Sequence, residues 1–350
     1  SPLGTLNPGA ARNVHRIAQQ FYRLLSSELG ERPEAELGAQ IPQALLAAFP
    51  DRLARRRGPG DPRGLMVGGR GVKLDPASGV SAAELFLCLE VEASGSEARV
   101  RQASAVEAEW LPLEHLREAD ERFFHPTLGA VCTRRRLFWL DLQLSETPLA
   151  TPTDELTARL LAAEAAKQFP RLLPAKDREL HSWLARARWL AEAMPESGLP
   201  SWQGPQLAQL LEGWCYGMKS LDELKTLPWK SLLPSALNAT QRKELDRAAP
   251  ATVTLPSGRQ VLLQYEAGKP PVLAARIQEF MGLRETPRLA GGRVPLLLHL
   301  LAPNNRCQQI TNDLASFWVN TYPHVRKELR GRYPKHAWPE DPMQATGRQP

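Results

Sequence analysis

The residue types best suited to chemistry in this sequence are basic and aromatic. Guanidinium and ammonium groups neutralise phosphates, and aromatic rings stack on bases, so together they are typical of a contact with single-stranded nucleic acid. The candidate residues in the first half of the chain are Arg55, Arg56, Arg57, Arg70, Lys73, Arg134 and Arg136. The candidates near the C-terminus are Arg326, Lys327, Arg330, Arg332, Tyr333, Lys335 and Trp338.

The sequence shows no catalytic pattern. A phosphate-binding loop ends in Gly-Lys-Ser/Thr, but Gly268-Lys269 is followed by Pro270 and Lys219-Ser220 is preceded by Met218. The seven histidines are scattered, and the four cysteines form no C-x-x-C pair, which disfavours a metal site and favours reduced thiols. We therefore expect no catalytic residue, no bound metal and no cofactor of its own.

The net charge is +6 and is unevenly distributed. Residues 216–350 carry 19 basic and 11 acidic side chains, whereas residues 61–150 carry 10 basic and 14 acidic ones. Arginine outnumbers lysine 34 to 10, which suits bidentate phosphate contacts but is also what a high-GC genome produces without any function. The longest apolar run covers residues 294–302, too short for the roughly 18 residues of a membrane span. A soluble cytoplasmic protein without a secretory signal is the expectation.

Hydrophobic periodicity predicts the elements that hold the first set of candidates. An i, i+3, i+4, i+7 pattern from Val14 predicts a helix capped by Asn13, and residues 41–49 predict a second, short helix. From residue 63 to 145 the period is two, which predicts about five strands, with a tight turn at residues 68–71 and a helical insertion at 110–121. Five short strands suit a small barrel of the OB type, with Arg134 and Arg136 on one face of a barrel strand.

The remainder mixes helices and strands. Residues 153–194 predict helices interrupted by prolines, and residues 251–266 predict a hairpin around Pro256-Ser257-Gly258. We expect a helix at 271–281, a strand at 294–301 and two C-terminal helices that carry a basic face. Two interpretations of this C-terminal region stay open. Either its aromatic rings are exposed for base stacking, or Phe317 and Trp318 are core and the tail packs over the domain as an arm.

Several sequence runs closely resemble the C-terminal end of bacterial HrpB-type ATP-dependent helicases of the DEAH-box class. They are residues 49–57, 256–258, 292–303, 309–318 and Gly331-Arg332-Tyr333-Pro334-Lys335-His336, which leads into Trp338-Pro339-Glu340-Asp341-Pro342. A complete member of this family would contain two RecA-like motor domains, a winged helix, a ratchet-type helical bundle, an OB-fold and a C-terminal domain. This sequence resembles only the last part of that arrangement, from the end of the bundle onward. ATP and magnesium would belong to the motor, whose phosphate loop and Asp-Glu-Ala-His motif do not occur in this sequence.

The expected fold class is α+β and multidomain. The expected segments are the end of a ratchet-type bundle (1–52), an OB-like barrel (53–150), a helical connector (151–205), an HrpB-type α+β domain (206–342) and a disordered tail (343–350). The resemblance implies a region that guides or grips single-stranded nucleic acid, expected to be RNA, beside the motor. Its first candidate contact is the barrel, and the second is the C-terminal basic surface. Two alternatives remain: a module that docks on the motor or another protein, and an independent hydrolase.

Overall fold

The structure is a computed structural model that describes residues 7–29, 37–93 and 95–344. It divides into two compact units. The first comprises residues 1–121 and 134–148, and the second comprises residues 122–133 and 149–350. The five predicted segments are not tested by this division, and residues 345–350 of the predicted tail lie outside the described residues.

The first unit begins with two helices, α1 (Pro8–Leu29) and α2 (Leu37–Ala48). The prediction that Asn13 caps the first helix is wrong, because α1 begins earlier. The Asn7 side chain instead accepts hydrogen bonds from the backbone amides of Gly9 and Ala10. The apolar stripe of α1 is exposed, with Val14 66% and Phe21 59% accessible. In α2, by contrast, Leu46 is buried in a core cluster with Leu53 and Trp139.

A closed five-stranded barrel follows. The alternating pattern predicts four of its strands, whereas the first lies before residue 63, where that pattern begins. Its strands are β1 (Leu53–Arg56), β2 (Arg63–Met66), β3 (Arg70–Leu74), β4 (Leu85–Glu92) and β5 (Ala98–Val106), arranged in the order β1-β2-β3-β5-β4. Inward side chains such as Val72, Phe86 and Val100 are fully buried. Gly64 faces the same interior, where a Cβ would lie 2.9 Å from both the Arg55 carbonyl oxygen and the Phe86 ring.

Three further strands form a separate sheet in the order β6-β7-β8. They are β6 (Leu116–His125), β7 (Ala130–Trp139) and β8 (Leu142–Leu149). The prediction that the strand carrying Arg134 and Arg136 belongs to the barrel is therefore wrong. The predicted helical insertion at 110–121 is also wrong, because two short 3-10 turns there lead directly into β6. The tip of the β6–β7 hairpin belongs to the second unit.

Helices make up the first part of the second unit. They are α3 (Glu155–Lys167), α4 (Arg178–Ala193), α5 (Gly204–Cys215), α6 (Leu221–Lys225), α7 (Trp229–Ser235) and α8 (Ala239–Ala248). Side chains cap several of them: the Asp154 carboxylate, for example, accepts a hydrogen bond from the Thr157 amide, as the sequence predicts.

The rest of the second unit is mostly strand. The predicted hairpin is confirmed, with strands β9 (Thr252–Thr254) and β10 (Gln260–Leu262). A separate three-stranded sheet contains β11 (Val272–Arg276), β14 (Leu297–Leu301) and β15 (Cys307–Thr311). The helix predicted at 271–281 is wrong, because β11 and a 3-10 turn occupy that stretch. Two short strands pair with each other, β12 (Arg288–Leu289) and β13 (Val294–Pro295). The unit ends with α9 (Leu314–Ser316), a π-helical turn and α10 (Tyr322–Arg332). Across the described residues, no helix is both long and apolar enough to cross a bilayer.

Candidate nucleic-acid interface

A row of three cations crosses adjacent barrel strands. Lys73 on β3 lies opposite Arg63 of β2 in the strand register and beside Arg99 of β5 on its other side. All three side chains are exposed. Because directly paired residues have Cβ atoms about 5 Å apart, the three charges form a continuous row.

Two more arginines extend this row. Arg101 follows two residues after Arg99 and is likewise exposed. Arg57 comes directly after β1, and its guanidinium lies 3.5 Å from the point where a Cβ on Gly71 would stand, so it covers β3 on the side that carries Lys73. We call these five residues, Arg57, Arg63, Lys73, Arg99 and Arg101, the basic face.

Four of the five cations touch carboxylates at the margins of the face. Arg57 lies 3.0 Å from Glu97, Arg63 3.0 Å from Asp61, and Arg101 2.9 Å from Glu92. The Arg99 Nε atom donates to Asp75 at 2.8 Å. Lys73 has no ion pair among the described residues. The basic face and its carboxylates therefore carry five positive and four negative charges.

Hydrogen bonds favour the ionised form of two of these carboxylates, Asp61 and Asp75. The side-chain hydrogen bond from Arg63, joined by one from its backbone amide, lowers the pKa of Asp61 to about 2. The backbone amide of Ala77, and then the Arg99 guanidinium, lower the pKa of Asp75. Exposed ion pairs of this kind contribute about 0–1 kcal/mol each, so a phosphate can replace a carboxylate at little cost.

The three consecutive arginines predicted as one group separate into different roles. Arg55 donates from Nε to Glu84 at 2.9 Å, and Arg57 lies on the basic face. Arg56 is buried, and its guanidinium donates to the backbone carbonyls of Ala83, Asp61 and Val80. The three residues line one open cavity of about 430 Å³, but the Arg56 side chain is occupied by the fold.

Arg134 and Arg136 share one face of β7, as alternation predicts, and both are paired with acids. Arg134 lies 2.7 Å from Glu121 and 3.2 Å from Glu146, and Arg136 contacts the same two carboxylates. Their strand is not part of the barrel. Arg70, within the predicted turn at 68–71, is exposed at the start of β3, because the observed turn ends at Gly69; Gly68 and Gly69 have positive φ.

The C-terminal candidates divide between a packed arm and an exposed helical face. Trp338 is buried, and its Nε1 donates to the Tyr333 carbonyl at 3.0 Å. Arg326 donates to the Trp338 carbonyl at 2.8 Å and to Glu340 at 3.0 Å. Phe317 and Trp318 are buried as well, so the packed-arm interpretation is confirmed. The exposed residues are Lys327, Arg330, Arg332 and Lys335, of which Arg332 pairs with Glu328 at 3.4 Å.

Sequence reasoning missed three residues of the basic face: Arg63, Arg99 and Arg101. Arg99 and Arg101 alternate with the buried Ala98 and Val100, a pattern that places two cations on one outer strand face. Their position beside Lys73 depends on the parallel pairing of β3 with β5, which no local pattern reveals.

We expect Trp338→Ala to lower the free energy of unfolding by about 3 kcal/mol, because it empties a buried indole site. Urea denaturation measures this, with the exposed Lys335→Ala as control, expected to change stability by less than about 0.5 kcal/mol. A stable Trp338→Ala protein with weakened RNA binding would instead show that the ring stacks on a base.

Thiol reactivity is expected to follow burial. Desolvation raises the pKa of Cys88 and of Cys215 to about 12, whereas Cys307 is exposed. At pH 8 a disulfide reagent should therefore label Cys307 rapidly and should label Cys88 and Cys215 only after unfolding. The raised pKa values of Cys88 and Cys215 also stabilise the folded protein below pH 9, and this stabilisation is lost as the pH rises from about 9 to 12. Rapid labelling of Cys88 in the native protein would contradict the barrel packing.

No group of three His, Cys, Asp or Glu side chains within the described ranges is arranged to hold a metal ion. Residues 210–342 match the family model HrpB_C, described as "ATP-dependent helicase C-terminal". In this chain the barrel with its basic face precedes that region. Residues 210–342 therefore belong to the HrpB_C family, and the whole chain is similar to the C-terminal region of HrpB-type ATP-dependent helicases.

Its similarity to individual proteins covers nearly all of its length. It is 35% identical over 358 residues to the ATP-dependent RNA helicase HrpB of Escherichia coli (strain K12), spanning 97% of this chain and 43% of that protein. It also resembles the crystal structure of the E. coli DExH-box NTPase HrpB, with 31% identity, a TM-score of 0.54, and coverage of 99% of this chain and 43% of that one. The chain thus spans less than half the length of these relatives, and the resemblance drawn from its sequence motifs is confirmed.

Proposed function

We propose that this region grips single-stranded RNA on the basic face of the barrel, beside a RecA-type motor of the same protein. The observation that carries the proposal is the row Arg63, Lys73 and Arg99, whose exposed charges lie side by side across three strands. A row about 10 Å long fits the backbone of a single strand, because its phosphates are closely and regularly spaced. The RNA helicase name of the E. coli relative supports RNA as the ligand.

The face is suited to a grip that is reversible and independent of sequence. Its cations meet phosphates, which are the same in every nucleotide, and its marginal carboxylates return to the arginines when the strand leaves. Leu65 follows Arg63 by two residues on the same face of β2, and its apolar side chain, 41% accessible, offers a base a nonpolar surface. We therefore propose weak binding with little preference among bases.

An anisotropy titration of labelled oligouridylate with the 350-residue chain tests this proposal. We expect binding at low salt that weakens as salt rises, because each neutralised phosphate releases a counterion. Absence of binding at low salt, or affinity indifferent to salt, would contradict it. We also propose that the chain has no ATPase of its own, since it lacks the Gly-Lys-Ser/Thr loop. Hydrolysis of ATP by the purified chain would favour the hydrolase alternative.

A second candidate function is docking on another protein segment, such as the motor. The observation that favours it is the exposed apolar stripe of α1, where Val14 and Phe21 are mostly accessible. The variant Val14→Ser/Phe21→Ser, which removes two exposed members of that stripe, separates the two functions. A docking role predicts unchanged RNA affinity and lost association with a separately expressed motor half.

A further inference from the structure

The first unit contains a second, chemically opposite site. An open pocket of about 360 Å³ lies beside the barrel, lined by residues of β4, β5, β6, β7 and β8 and of the turns after β5. Its volume is within the range of about 300–1,000 Å³ that ligand pockets occupy. All twelve described lining residues belong to the first unit.

Leucine and valine form the floor of this pocket. Leu85, Val106 and Leu111 are buried at its base, and Leu116, Leu137 and Leu144 are only half-buried. The last three come from three different strands of the β6-β7-β8 sheet. Side chains from separate strands thus leave apolar area open to solvent at one place, which favours a ligand with an apolar group.

Carboxylates form the rim. Glu84, Glu107 and Glu109 line the pocket, and none of its twelve described lining residues is basic. Glu84 is paired with Arg55, but the side-chain carboxylates of Glu107 and Glu109 have no hydrogen bond or ion pair among the described residues. Both are exposed within or next to the 3-10 turn that follows β5.

The apolar floor and the acidic rim together favour a ligand that is both apolar and positively charged. Unpaired carboxylates repel a polyanion and attract lysine and arginine, so the pocket disfavours the RNA proposed for the basic face. We propose that the pocket binds a cationic segment of a partner protein, in which one large apolar side chain enters the leucine floor and flanking Lys or Arg residues pair with Glu107 and Glu109. The unit would then contact RNA and a basic protein on different surfaces.

Two fluorescent peptides serve as probes. The first has one phenylalanine flanked by two arginines on each side, and the second has serine in place of the phenylalanine. With the 350-residue chain, we expect the phenylalanine peptide to bind about tenfold more tightly, because its ring leaves water on entering the leucine floor. Ala108→Trp, which fills the pocket from an exposed position, should abolish this preference. Glu107→Lys/Glu109→Lys should weaken both peptides at least tenfold.

The control variant is Glu90→Lys/Glu114→Lys, which changes the net charge equally at exposed carboxylates outside the pocket. It should keep the phenylalanine preference. Equal affinity for the two peptides, or an unchanged preference in Ala108→Trp, would overturn the proposal. Two other results would also overturn it by identifying a different occupant: Ala108→Trp weakening oligouridylate binding, or Ala108→Trp abolishing a dimer of the chain seen in sedimentation.

Discussion

Neutralising Lys73 and Arg99 is expected to lower the affinity for single-stranded RNA about 25-fold at 0.1 M salt. The two residues are adjacent in the β3–β5 register and both are exposed. Each phosphate contact to a single strand contributes about 0.7 to the slope of log affinity against log salt, which is about fivefold at this concentration. The double variant Lys73→Gln/Arg99→Gln should therefore also reduce the slope by about 1.4.

The control for this experiment is Lys243→Gln/Arg284→Gln, which removes one lysine and one arginine at exposed positions of the second unit. Its affinity should fall less than about twofold, because neither residue belongs to the basic face. The variant Lys327→Gln/Arg330→Gln compares the second candidate surface in the same assay. A larger loss there than on the barrel would transfer the proposed grip to the C-terminal helix α10.

The second large effect concerns stability. Arg56→Met is expected to lower the free energy of unfolding by about 3 kcal/mol or more. The buried guanidinium donates to three backbone carbonyls and lies 5.5 Å from the centre of the Phe86 ring. Methionine fills similar space but removes these three hydrogen bonds, and a hydrogen bond that involves a charged group contributes about 1.5–3 kcal/mol.

Urea denaturation of Arg56→Met and Arg57→Met measures the difference between two neighbouring arginines. Arg57 is exposed and has one ion pair, with Glu97, so its replacement should change stability by at most about 1 kcal/mol. A stable Arg56→Met protein that has lost RNA affinity would mean that Arg56 contacts the ligand, as the sequence alone predicts. Equal destabilisation by both variants would contradict the structural role assigned to Arg56.

The sequence by itself determined the family and much of the local structure. The run from Gly331 to Trp338 is specific enough to indicate an HrpB-type C-terminal region, and period-two alternation predicts four of the five barrel strands. Local signals succeed here because alternation and turn glycines act between near neighbours in the chain. The same signals failed at residues 110–121 and 271–281, which form strands and 3-10 turns in the structure.

Only the tertiary structure decided which arginines are available to a ligand. Three arginines adjacent in sequence have different roles. Arg55 pairs with Glu84, Arg56 is buried, and Arg57 lies on the basic face. Arg134 and Arg136 meet Glu121 and Glu146 through strand pairing, and Lys73 meets Arg63 and Arg99 in the same way. The physical reason is that charge neutralisation depends on distances of a few ångströms between residues remote in the chain, and strand register sets those distances.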